Sequence, residues 1–218
     1  MGSLAAFIAY SSAMSAIFLL SLYFQYVRGL SAKEAGLLLM LQPVVQALIT
    51  PLAGRFSDSK DPGMVAAIGL LITTGAFLLI GLHLSADVSL FEILSLLALF
   101  GLGFAVFAAP NSNAVMSAVS PEKLGVASGI ITATRLSGQI FSLSFISLVF
   151  SVMIGSGHIT PESAPNFLKA AKFSFMVFTP LCLAGAALSV FKDKQKKRFE
   201  QKGEAEKQPG KTLAGQTE

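Results

Sequence analysis

The sequence predicts an all-α polytopic membrane protein of six transmembrane helices, and three observations carry that expectation. Hydrophobic residues fill 53% of the 218 positions and charged residues only 13%, about half the charged share that covers a soluble domain. Mean hydropathy is +0.69. Six apolar stretches reach the ~20 residues needed to cross a bilayer core. Turn and capping residues punctuate every one of them.

The first span covers about residues 4–26, with Tyr23 and Tyr26 at its far end as interfacial anchors. Ser31 and Glu34 form a Ser-x-x-Glu capping box. They open a second span, about 35–53, which Pro43 breaks and Pro51 closes. A polar turn over 54–63 leads to a third span, about 64–84. Ser89 and Glu92 repeat the capping-box spacing before a fourth, about 90–118, in which Pro110 removes a backbone donor and kinks the helix. Ser120 caps and Pro121 starts the fifth, 124–154 at its widest. Thr160, Pro161 and Glu162 mark a short interfacial helix inside a longer loop, 155–172, and the sixth span follows at about 173–191. The chain thus divides into a six-span bundle, 1–191, and a basic tail, 192–218. From Glu200 the tail is Gly-, Gln-, Lys- and Glu-rich and is expected to be disordered.

Charge fixes an expected orientation. The formal net charge is +4, and the tail holds eight Lys/Arg against five Asp/Glu. This concentration argues against a nucleic-acid partner, and by the positive-inside rule it sets the C-terminus in the cytoplasm. Six spans return the N-terminus to the same side, in what is expected to be the plasma membrane. Spans four to six then run inverted relative to one to three, a 3+3 arrangement. The single cysteine, Cys182, allows neither a disulfide framework nor a metal cluster, and no cofactor motif appears. A membrane serine protease is disfavoured as well. Ser128 follows Val126 and Ala127 rather than a Gly-x pair, and His83 and His158 belong to the opposite side.

Polar groups at depth are costly in hydrocarbon and usually face a bundle interior or a water-filled cavity. Arg135 is the sharpest case, roughly eleven residues and about 16 Å into the fifth span. Ser128, Thr132, Gln139 and Ser142 fall within about 60° of it on a helical projection. Two readings stand: a cavity wall touching substrate or a coupling carboxylate, or a structural arginine bonded to backbone or to another helix's amide. Asn111 and Asn113, beside Pro110, point about 200° apart, and serve either a kink or a cavity lining. Gln42 and Gln46 share one face of the second span, for interhelical hydrogen bonds or for cavity lining. Gly125 and Gly129 form a GxxxG pattern, which lets helices approach closely in lipid. Glu92, at the start of the fourth span, is explained as a cap, and no other carboxylate falls within a span.

Read in order, the turn GRFSD from Gly54 to Asp58, the run PNSNAVMSAVSPEKLGVASG and the opening LYFQYVRGLSAKEAGLLLMLQP are similar to the major facilitator superfamily. The likeness is to the last six spans of its fourteen-span drug–proton antiporter branch and covers about 18–191. It implies a facilitator C-terminal bundle and proton-coupled efflux of small lipophilic compounds. It also implies a midplane site shared with an N-terminal half of six to eight spans, supplied upstream, by a separate chain or by a second copy. Gly54, Arg55 and Asp58 match a cytoplasmic gating turn, while Ser59 and Asp61 depart from its pattern. Within that resemblance the cavity residues are Arg135, Gln139, Thr132, Asn111, Asn113, Gln42 and Gln46, and Gly125, Gly129 and Pro110 are packing positions. The alternative is a non-transporting six-span protein, either a partner subunit or a decayed half.

Overall fold

The computed structural model describes residues 2–59, 61–117, 119–155 and 163–206, and among them the secondary structure is helical throughout. Helix α1 (Gly2–Leu22) runs into a wider π turn, Tyr23–Val27, and Gly29 ends it at φ 65°. α2 (Ala32–Leu39) and α3 (Leu41–Ser59) together make the second span. α4 (Pro62–His83), α5 (Leu90–Met116), α6 (Leu124–Met153) and α7 (Ala164–Glu206) follow. Among the described residues, six stretches are long and apolar enough to cross a bilayer: Ser3–Val27, Ala32–Ser57, Pro62–His83, Leu90–Met116, Pro121–Met153 and Ala164–Val190.

Local chemistry explains the boundaries. The Ser31 hydroxyl accepts from the Glu34 amide at 3.3 Å while the Glu34 carboxylate accepts from the Ser31 amide at 2.9 Å, the full capping box that starts α2. Pro43 has no N–H for the carbonyl one turn earlier, and the second span breaks between Leu39 and Leu41 as expected. Pro51, expected to close that span, lies inside α3, which continues to Ser59. Gly54 and Arg55 therefore occupy the last turns of a helix rather than a loop. The stop comes instead from Asp61, whose carboxylate caps the Gly63 amide at 3.0 Å, and from Pro62 at the first position of α4. The sixth span also starts earlier than expected. Phe167, Ala170 and Ala171 are fully buried, and their burial draws the chain into α7 from Ala164. The same helix runs past Phe191 to Glu206. The expected interfacial helix at Thr160, His158, the side chain of Asp58 and the rest of the tail lie outside the described residues.

Packing follows a pattern that maps onto itself when the first three spans are exchanged with the last three. α1 packs on α6 and α7; its counterpart α5 packs on α3 and α4; and α4 packs on α7. Glycines set the closest crossings. A Cβ on Gly69 would collide with the Phe107 amide nitrogen, and one on Gly103 would sit 2.7 Å from that of Thr73. Gly101 meets the Gln42 carbonyl in the same way at 2.8 Å, and Gly138 meets that of Phe7 at 2.6 Å. These are backbone-to-backbone contacts that any side chain would separate. A Cβ added at Gly125 or Gly129, by contrast, would find nothing within 4 Å. Their GxxxG face is open, not packed inside this bundle.

Between the crossings runs an aromatic core. Phe77 of α4 meets Phe100 of α5 at 5.6 Å and Phe175 of α7 at 5.3 Å between ring centroids, and both are tilted edge to face. At the end of the bundle away from the N-terminus, the 84–89 loop is clamped to the first span. The Tyr23 hydroxyl donates to the Ser85 carbonyl at 2.8 Å, and the Arg28 guanidinium donates to those of Ala86 and Val88 at 3.1 and 2.9 Å. His83 meets the Glu92 carboxylate at 2.5 Å, so Glu92 does not complete its box, although the Ser89 hydroxyl still accepts from the Glu92 amide.

Two outcomes are expected. Gly103→Val should lower stability in detergent by about 1–3 kcal/mol, the cost of overpacking, while Gly125→Val leaves this bundle's melting temperature unchanged. Thermal unfolding followed by size exclusion separates them. Arg28→Gln should speed amide hydrogen exchange across Ser85, Ala86 and Val88 by about tenfold or more, as charge-assisted hydrogen bonds of about 1.5–3 kcal/mol are lost. Unchanged exchange would show that the loop is held by other means.

Candidate functional site

The site begins at the α1–α6 crossing. Because Gly138 carries no side chain, the backbone of α6 comes down onto Phe7 and Ser11. Arg135, nearly one turn before Gly138, is thereby brought over α1. Its guanidinium carbon lies 5.7 Å from the centroid of the Tyr10 ring, a cation–π distance. Tyr10 is half-buried and meets Phe104 of α5 edge to face at 5.4 Å. Phe104 continues through Phe100 into the aromatic core. Three helices thus support one charge.

Arg135 is exposed and, among the described residues, forms no ion pair or hydrogen bond. The acids whose side chains are described are occupied elsewhere or sit in turns. Glu34 belongs to the α2 cap, Glu92 to His83 and Asp61 to the start of α4, while Asp87 sits in the 84–89 loop and Glu122 in the short 3-10 turn that leads into α6. A cation so placed has fixed aromatic support on one side and open space on the other. It can stack, and it can donate up to five hydrogen bonds in the plane of its fork.

The other polar residues divide. Thr132 is exposed and Gln139 half-buried, both on the Arg135 face, and neither has a hydrogen-bond partner among the described residues. Ser142, expected on the same stripe, is fully buried, with no partner for its hydroxyl among the described residues. The stripe therefore winds from the open face into the bundle. Asn111 is buried with Pro110, while Asn113 is exposed, and their separation around α5 keeps them apart. Gln42 is 4% exposed and donates to Gln46 at 3.2 Å. The two glutamines bond each other within α3 rather than across helices, against the backbone of Gly101. Gly54 has open space around it and Arg55 is exposed.

Tyr10, Phe104 and Gly138 do not stand out from the sequence alone. Tyr10 had one available signal. Of three tyrosines it alone stands well inside a span, since Tyr23 and Tyr26 close theirs. Neither of two surface clefts contains the site, and only the first lies beside it. One of about 430 Å³ separates α1 from α6 near Phe7 and Ser137, and one of about 480 Å³ lies between α3 and α4 around Leu52, Phe56 and Ile68. The apolar stretches of α3 and α6 are the least buried of the six, at 11% and 22%. The open side of the bundle is theirs.

Comparison with known proteins places this geometry. The chain is 26% identical over 87% of its length to the riboflavin transporter RibZ of Clostridioides difficile, of which it covers 41%. It is 33% identical over 72% of its length to the uncharacterized transporter YebQ of Escherichia coli, covering 34% of it. With the drug efflux pump JefA of Mycobacterium tuberculosis it shares 28% identity over 69% of its length and 29% of the relative's. It spans less than half the length of each. The family model of the Major Facilitator Superfamily matches residues 2–216, and an all-helical bundle with six spans of membrane length fits that match. The chain belongs to the Major Facilitator Superfamily.

Proposed function

We propose that this chain is the C-terminal half of a facilitator-type transporter that exports small lipophilic compounds in exchange for protons. In this reading both termini are cytoplasmic and the bilayer is the plasma membrane. The observation that carries it is Arg135, a charge at mid-depth, supported on one side by Tyr10 and open on the other. A charge is kept at such a depth only where protein, substrate or water receives it.

Facilitator bundles work in pairs, rocking about a site near the bilayer midplane. In our reading the poorly buried α3 and α6, together with the open Gly125/Gly129 face, meet an N-terminal half of six to eight spans. That half is an upstream segment, a separate chain or a second copy. Arg135, Thr132 and Gln139 line this bundle's share of the cavity. The described spans carry no mid-depth carboxylate, so the proton-binding group belongs to the other half. Gly54, Arg55 and Asp58, at the end of α3, form the cytoplasmic gate. The similarity to JefA, a drug efflux pump, and to RibZ, a riboflavin transporter, supports small-molecule cargo, and the first of them supports efflux.

Two measurements test this. An antibody to the tail should detect, in native membranes, either a polypeptide about twice this chain's 22.9 kDa or a band that crosslinks to a partner. A lone band with no crosslink favours the non-transporting alternative. Arg135→Ala should reduce efflux of an accumulated dye by about tenfold or more, equivalent to losing about 1.4 kcal/mol of interaction, with expression and monodispersity unchanged. Wild-type efflux from that variant removes Arg135 from the mechanism.

A further inference from the structure

We infer that the face around Arg135 selects planar aromatic compounds carrying an anionic group and disfavours organic cations. This rests on the cavity reading above and adds the chemical class of the cargo.

Charge balance comes first. Arg135 is the one charged side chain at mid-depth among the described residues, and no described acid reaches it. A cation in a partly dehydrated cavity attracts a counter-charge and repels a second cation. No described residue uses its fork of in-plane donors, and that fork matches a carboxylate or sulfonate in a bidentate pair. On the same face, Thr132 stands nearly one turn below and Gln139 just over one turn above, both without partners among the described residues. They supply neutral donors and acceptors on either side of the charge.

Shape comes from the aromatic support. Phe104 meets Tyr10 edge to face with centroids 5.4 Å apart, and the Arg135 guanidinium carbon lies 5.7 Å from the Tyr10 ring. Guanidinium planes stack on aromatic faces. With Tyr10 on one side and exposure on the other, Arg135 is ready to receive a further ring. A flat aromatic anion has two ways to be held, its anionic group on the in-plane fork or its ring on the open guanidinium face. A flat aromatic cation gains the stack but meets repulsion, and an aliphatic anion gains only the fork.

The test uses the protein purified from its own membranes with any partner it holds, placed in phosphatidylcholine nanodiscs so that the lipid surface carries no net charge. Fluorescence anisotropy compares fluorescein, a planar anion, with ethidium, a planar cation. The wild type should bind fluorescein more tightly than ethidium. Arg135→Gln should weaken fluorescein by about thirtyfold or more, the scale of removing one partner of a buried charge pair, while leaving or improving ethidium. Arg135→Lys keeps the charge but loses the planar fork, and should fall between. An unchanged helical circular dichroism spectrum excludes misfolding. A preference for ethidium, or fluorescein binding that is indifferent to Arg135→Gln, overturns the inference while the cavity reading stands. If neither dye binds the wild type, the inference is overturned, and the Arg135→Ala efflux measurement decides separately whether the cavity reading goes with it.

Discussion

Helices in lipid gain almost nothing by burying apolar side chains against one another, because the acyl chains outside are equally apolar. What holds this bundle is therefore the close approach of backbones, and it happens where a side chain is missing. Gly69 and Gly103 let α4 and α5 touch main chain to main chain, Gly101 does so for α5 on α3, and Gly138 for α6 on α1. Dispersion between closely placed atoms accumulates along such crossings. The aromatic core of Phe77, Phe100 and Phe175 then fills the space that the glycine crossings leave between them.

The same constraint creates the site. Arg135 reaches Tyr10 because Gly138, three residues on, has drawn α6 down onto α1. Tyr10 is itself held edge to face by Phe104 from a third helix. Orientation of the charge is thus a consequence of packing. No hydrogen bond within the described residues fixes it, and its freedom to donate follows directly.

Much of the fold was legible in the sequence because hydropathy and caps are local. The spans could be counted, and the Ser31–Glu34 box, the break at Pro43 and the Asn111/Asn113 divergence all follow from neighbours within a few residues. Other features depend on partners distant in sequence. In an apolar run every glycine looks alike, so the GxxxG spacing of Gly125 and Gly129 drew attention while Gly138 did not. Only the presence of α1 opposite Gly138 distinguishes them. Pro51 looked like a terminator, yet a proline within a membrane helix is tolerated where its neighbours hold the turn. Here the Thr50 hydroxyl donates to the Gln46 carbonyl at 2.6 Å. The early start of α7 was equally hidden, since Lys169 and Lys172 resemble loop residues until Phe167 and Ala170 between and before them are seen to be buried.

The exchange pattern of the packing bears directly on that free charge. α1 and α5 are counterparts, and so are α3 and α6, yet the mid-depth charge appears in only one of the paired positions. α6 carries Arg135 free on its open face. α3, its counterpart, carries Gln42 and Gln46, which are neutral and joined by one hydrogen bond at 3.2 Å. A repeated scaffold would serve structure equally well with either solution, and the neutral, hydrogen-bonded glutamines are the less costly one in hydrocarbon. Beyond its contact with Tyr10, a cation with no hydrogen bond or ion pair among the described residues brings this bundle little structural return. Its natural explanation is a group that arrives from outside.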